Sequence, residues 1–133
     1  MVKESGGDIA YFSELINESG LDIYSGDDYT TVPAMALGAK GTVSVMANIV
    51  PDVVHKICEL CLNNDFLEAG KIHQKYARFM NTQGLFMDVN PIPVKQALRL
   101  LGIDAGSGRL PLCDMDEGKI AKLKTEMEKI GLL

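Results

Sequence analysis

Lys3 is the candidate nucleophile of this 133-residue chain. It stands in Val2-Lys3-Glu4, which reads as the end of a short strand, and Ser5-Gly6-Gly7 follows as a loop. In parallel α/β folds the loops after the strands form the functional face. A lysine pointed into such an interior loses solvation. A desolvated amine is neutral more of the time and can attack a carbonyl to form a Schiff base. Position alone is also met by a solvated lysine near an N-terminus, which is the commoner situation.

Two further strand-end segments carry chemistry. In Ser25-Gly26-Asp27-Asp28, the glycine would let a ligand approach the backbone closely. The adjacent carboxylates could bind a metal or a polar substrate, or simply cap the helix that follows. Gly41-Thr42-Val43-Ser44-Val45-Met46-Ala47-Asn48 reads as a buried strand entering a loop, and by itself says nothing more. Cys58-Glu59-Leu60-Cys61 has the C-x-x-C form, with His55 one turn upstream. A redox pair belongs at the start of a helix, where the dipole lowers a thiol pKa, whereas this pair lies inside one. A zinc site needs more ligands at close spacing, and only Cys113 and His73 remain. Core packing is therefore expected for the cysteines, with no metal and no cofactor. Signatures for nucleotide phosphates, dinucleotides, zinc proteolysis and serine hydrolysis are absent from the sequence.

The elements that must position these residues alternate. A strand stub at Val2 is followed by a helix with Ile9, Phe12, Leu15 and Ile16 on one face, N-capped by Asp8 and closed at Gly20. A strand over Leu21 to Gly26 precedes a helix from Tyr29 to Leu37. Thr42 to Met46 is β-branched and predicts a third strand. Pro51 opens the next helix. This is the order of parallel βα units. After residue 64 the pattern becomes helical. Helices are predicted over Phe66 to Gln83, Val94 to Leu101 and Lys119 to Ile130, with Asp88 to Pro93 extended because each X-Pro step disfavours helix before it. The expected division is 1–64 for the βα part and 65–133 for the helical part. Three parallel strands make a poor sheet alone, with open edges, and a (β/α)₈ barrel takes about 250 residues. The fold class expected is α/β, the last part of a TIM barrel, followed by a small all-helical region.

Composition bounds the function. The net charge of -5 argues against nucleic acid, which demands clustered Lys and Arg. No run of about 18 apolar residues predicts a membrane helix. The first ten residues lack the apolar core of a signal peptide, and three Cys without secretory context read as free thiols in a cytoplasmic protein.

Taken in order, Val2-Lys3-Glu4-Ser5-Gly6-Gly7, Ser25-Gly26-Asp27-Asp28, Gly41 to Asn48, Asn90-Pro91-Ile92-Pro93-Val94-Lys95 and Arg109-Leu110-Pro111-Leu112 are far more specific than any one alone. The chain after Met1 resembles the C-terminal half of the dihydrodipicolinate synthase family of pyruvate-dependent class I aldolases. The Ser-Gly-Asp-Asp and Asn-Pro-Ile-Pro-Val-Lys segments look like the synthase branch rather than the N-acetylneuraminate lyase branch. The resemblance implies that residues 1–64 are barrel strands six to eight and that Lys3 is the catalytic Schiff-base lysine. It also implies that Gly26 lines the pocket and that the Val43 backbone contacts bound pyruvate. The implied reaction condenses pyruvate with aspartate semialdehyde in lysine (diaminopimelate) biosynthesis.

The same resemblance implies an absence. The family's strands one to five, its paired threonines for the pyruvate carboxylate, and its relay tyrosine and arginine have no counterpart here. Tyr11, Tyr24, Tyr29 and Tyr76 do not match that tyrosine. The expectation is a fragment inactive by itself, acting as a homo-oligomer or with a missing N-terminal half supplied by a second chain. Two rivals stand beside it: a non-catalytic, self-associating half-barrel, and another pyruvate aldolase of the same family.

Overall fold

The computed structural model describes residues 1–81 and 88–133. The chain divides into two units, Met1–Gln74 and Lys75–Leu133.

The first unit is built of βα repeats. β1 (Val2–Glu4) leads into α1 (Ile9–Ser19), then β2 (Ile23–Ser25). Asp8 starts α1 as expected, its carboxylate accepting the amides of Ala10 and Tyr11, and Gly20 ends it in the left-handed region at φ 63°. Only a residue without Cβ adopts that φ without cost. β1 and β2 pair in parallel, with Val2, Lys3 and Glu4 opposite Ile23, Tyr24 and Ser25. Because strand side chains alternate, Lys3 and Tyr24 share one face of the sheet. Ile23 and Ser25 point the other way, into the interior, where both are buried. After β2 a 3₁₀ turn (Asp28–Thr30) runs directly into α2 (Thr31–Ala36). A second 3₁₀ turn (Met46–Asn48) precedes α3 (Pro51–Leu62), and α4 (Phe66–Met80) follows. Phe12, Ile23, Met46 and Ile57 form the centre of this unit, each at most 2% exposed.

The predicted third strand is corrected. Thr42 forms one parallel bridge with Ser25 and the ladder stops there. The β-branched residues that follow would suit a strand, but their donors go elsewhere. The amides of Val45 and Met46 are taken by the Asp28 carboxylate, at 3.1 and 2.9 Å, and Ser44 Oγ accepts the Ala47 amide. The chain turns into the 3₁₀ turn instead of continuing along the sheet. The α/β class and the parallel pairing stand, on two strands and a bridge.

In the second unit α5 (Ile92–Leu100) packs against α6 (Glu117–Lys129), and Arg78 near the end of α4 pairs with Glu126 of α6. Leu123, Met127, Val94, Ala97 and Phe79 are buried there. α5 starts two residues earlier than predicted. Pro93 sits in its first turn, where the missing N–H costs nothing. α6 also starts earlier, because Asp116 caps it by accepting the Lys119 amide. The predicted end of α4 at Thr82 and Gln83 lies outside the described residues. Among the described residues no helix is long and apolar enough to cross a membrane.

Candidate active site

Parallel pairing sends the C-terminal ends of β1 and β2 in one direction, so the loops after them meet. The Gly26 amide donates to the Glu4 carbonyl at 2.6 Å, locking the two loop starts together. Gly26 lies hard against its neighbours. A Cβ added there would fall 1.9 Å from Ser5 Oγ and 2.6 Å from Lys3 Cε. Only glycine leaves the lysine stem its course. Val43 joins from the bridged segment, its amide donating to the Ser25 carbonyl at 2.7 Å. Thus the structure brings Lys3, Gly26 and Val43 to adjacent strand ends.

Their surroundings differ from the expectation in one respect. Lys3 is exposed, and Val43 is 40% exposed. The desolvation expected around Lys3 is not supplied by these elements alone, since its face of the two-stranded sheet carries only Tyr24 beside it.

The floor beneath the site is polar and closed. Ser25 is fully buried, its hydroxyl 2.9 Å from that of Thr30, and both hydroxyls donate to the Asp27 carbonyl, at 2.8 and 3.1 Å. The Thr42 hydroxyl donates to the Ser25 carbonyl. Asp27 accepts the Tyr29 amide, which is the capping role weighed for it. Asp28 does something the sequence reading missed: it is 7% exposed and clamps two amides of the segment that carries Val43. The one hint in sequence was redundancy. With Asp27 sufficient for the cap, a second adjacent carboxylate needed another partner.

Cys58 and Cys61 are not tuned for reactivity. Burial, the main cause, pushes the Cys61 thiol up to about 11, and burial also raises Cys58, partly offset by a hydrogen bond from the Thr42 backbone. A thiol so shifted is a poor nucleophile at neutral pH. His73 lies on α4 with its Nε2 3.0 Å from the Tyr29 carbonyl, tying that helix to the turn after β2. Among the described residues no group of three or more His, Cys, Asp or Glu is arranged to hold a metal ion.

Comparison with known proteins follows the same residues. The model of the dihydrodipicolinate synthetase family matches residues 1–130. The chain is 40% identical over 132 residues to the 4-hydroxy-tetrahydrodipicolinate synthase of Methanococcus aeolicus and 41% identical over 132 residues to that of Methanocaldococcus jannaschii. Each alignment covers 99% of this chain and 45% of the relative. A crystal structure of dihydrodipicolinate synthase matches with a TM-score of 0.93 at 41% identity, over 99% of this chain and 45% of that one. The enzyme from Aquifex aeolicus matches at 0.89 and 36%, over 98% and 44%. The chain spans a little under half the length of these relatives. Matched along nearly its entire length and superposable on solved members, the chain belongs to the dihydrodipicolinate synthetase family.

Proposed function

We propose that this chain carries the nucleophilic lysine of a lyase that condenses pyruvate with aspartate semialdehyde in lysine biosynthesis, and that it corresponds to strands six to eight and the helical C-terminal region of a (β/α)₈ barrel. The observation that carries the reading is the packing of the Lys3 stem against Gly26 at adjacent ends of parallel strands, within a chain of this family. Lys3 Nζ attacks C2 of pyruvate and the carbonyl oxygen leaves as water, giving an imine. Loss of a methyl proton gives the enamine, whose carbon forms a bond to the aldehyde carbon of the second substrate. The amine of the condensed product then attacks C2, closing the ring and releasing Lys3. Gly26 keeps the course of the lysine open, and the Val43 backbone borders the bound pyruvate.

The exposure of Lys3 and Val43 supports a second element of the proposal. Schiff-base chemistry proceeds at a useful rate only where water is excluded and an acid–base group is positioned. A partner chain bearing the family's other strands, or a second copy of this chain, covers this face in the working cytoplasmic assembly. The chain alone is expected to turn over little, because loss of positioned acid–base catalysis costs about 10²–10⁴-fold.

Borohydride reduction in the presence of pyruvate tests the reading. The imine carbon takes hydride and leaves a stable secondary amine, which peptide mass spectrometry is expected to find at Lys3 and to lose in Lys3→Ala. Adducts spread evenly over the other lysines would reject the assignment.

A further inference from the structure

Asp28 is an expensive residue to keep. Its carboxylate is buried, it stands next to a carboxylate that already caps the turn, and its Oδ2 spends itself on two main-chain amides 17 and 18 residues away. Those amides belong to Val45 and Met46, two and three residues past Val43. The other side of the same segment is pinned by the Val43 amide and the Thr42 hydroxyl, both on the Ser25 carbonyl. Ser25 and Asp28 therefore grip Thr42–Met46 at two points, and both grips come from the segment that contains Gly26. A charged acceptor forms stronger hydrogen bonds to amides than a neutral one. An orphaned buried amide must otherwise find water or move.

We propose that Asp28 is a positioning residue of the pyruvate pocket, its carboxylate clamp on the Val45 and Met46 amides holding the Val43 backbone at the strand ends where Lys3 and Gly26 meet. The role rests on the pyruvate lyase reading. Asp28 touches no reacting atom. It acts through the segment it holds, and so it governs how well pyruvate binds rather than how fast the bound carbonyl reacts.

The test measures borohydride trapping at Lys3 in the full chain as a function of pyruvate concentration, for the wild type, Asp28→Ala and Asp28→Asn. Misplacement of a binding group by about 1 Å costs up to ~10²-fold. In Asp28→Ala the half-saturating pyruvate concentration is expected to rise about tenfold or more, with the trapping rate at saturation nearly unchanged, as for loss of uniform binding. Asp28→Asn keeps an acceptor oxygen and is expected to recover part of the loss. In parallel, hydrogen exchange at Val45 and Met46 is expected to quicken in the order wild type, Asn, Ala, with exchange in α1 unchanged. Half-saturation equal to wild type in both variants overturns the role. So does a fall in the saturating rate at unchanged half-saturation, which would make Asp28 a group that touches the substrate. If Asp28→Ala does not fold, Asp28→Asn decides the matter by the same criteria. Absence of trapping in the wild-type chain overturns the lyase reading and this role together, whereas trapping in the wild type with unaltered variants removes only the role.

Discussion

In residues 1–74 the loops after the strands are held by main-chain groups and short side chains. Gly26 bonds Glu4, Val43 bonds Ser25, and Asp28 bonds Val45 and Met46. In residues 75–133 the irregular stretch between α5 and α6 is held by long cations. Lys95 Nζ donates to the carbonyls of Ala105, Gly106 and Ser107, at 2.7, 3.4 and 3.3 Å, and Arg99 reaches the Ser107 hydroxyl and the Asp114 carboxylate. The first kind of tie has few rotatable bonds and fixes atoms to short tolerances. The second spans distance but spends side-chain freedom, about 1.5–2 kcal/mol for a Lys or Arg. The residues proposed to meet pyruvate gather in the first unit. The second presents a surface of adjustable pairs.

The largest effects should come from the two cores. Phe12 and Leu123 are each fully buried, one in each unit. Phe12→Ala is expected to cost about 3–5 kcal/mol and Leu123→Ala about 2–5 kcal/mol. Residue-resolved hydrogen exchange should show Phe12→Ala loosening β1, β2 and α1 first, and Leu123→Ala loosening α5 and α6 first. Equal loosening of both units by either change would dissolve the distinction.

A smaller effect is expected from Lys95→Met, which keeps the stem and removes the three carbonyl contacts. The cost should be about 1–3 kcal/mol, read from the urea midpoint. Faster proteolysis between residues 103 and 114 should accompany it, with protection of residues 1–74 retained.

The smallest effect concerns Glu126, buried on α6. A hydrogen bond from Lys129, aided by Arg78 at 3.2 Å, holds its carboxyl below the usual carboxylate range, with burial opposing. A depressed pKa stabilises the fold above the unfolded value. That contribution fades as pH falls through the carboxylate range and below it. Because both cations are largely exposed, the contribution should be only about 0.2–1 kcal/mol. Glu126→Gln should flatten the acid side of the stability profile by that amount and leave neutral stability of the first unit unaltered, as urea midpoints across pH would report.

Much of this arrangement was legible in the residues themselves. Asp8 before an Ile9, Phe12, Leu15, Ile16 stripe fixes where α1 starts, and Gly20 fixes where it stops, because both signals are local. The order of βα units followed from such signals in series. The third strand is not legible in sequence because its fate depends on Asp28, 17 and 18 residues from the amides it takes, and propensity at Val43 and Val45 carries no trace of a competing carboxylate. The first turn of α5 was missed for the opposite reason. Prolines at 91 and 93 argue for extended chain, yet a proline in a first turn costs little. At the site, Lys3 and Gly26 stood out by type and motif, but their mutual contact is a product of strand register, which sequence gives only through the fold.

The most direct test of the central claim, that register brings Lys3, Gly26 and Val43 to one pyruvate-binding locus, is a titration of the isotopically labelled chain with pyruvate followed by amide and lysine side-chain NMR. The account predicts saturable shifts at Gly26, Val43 and the Lys3 side chain with a common half-saturation, and no matching change in α5 or α6. Shifts centred elsewhere, or a Lys3 response with Gly26 and Val43 silent, would contradict it.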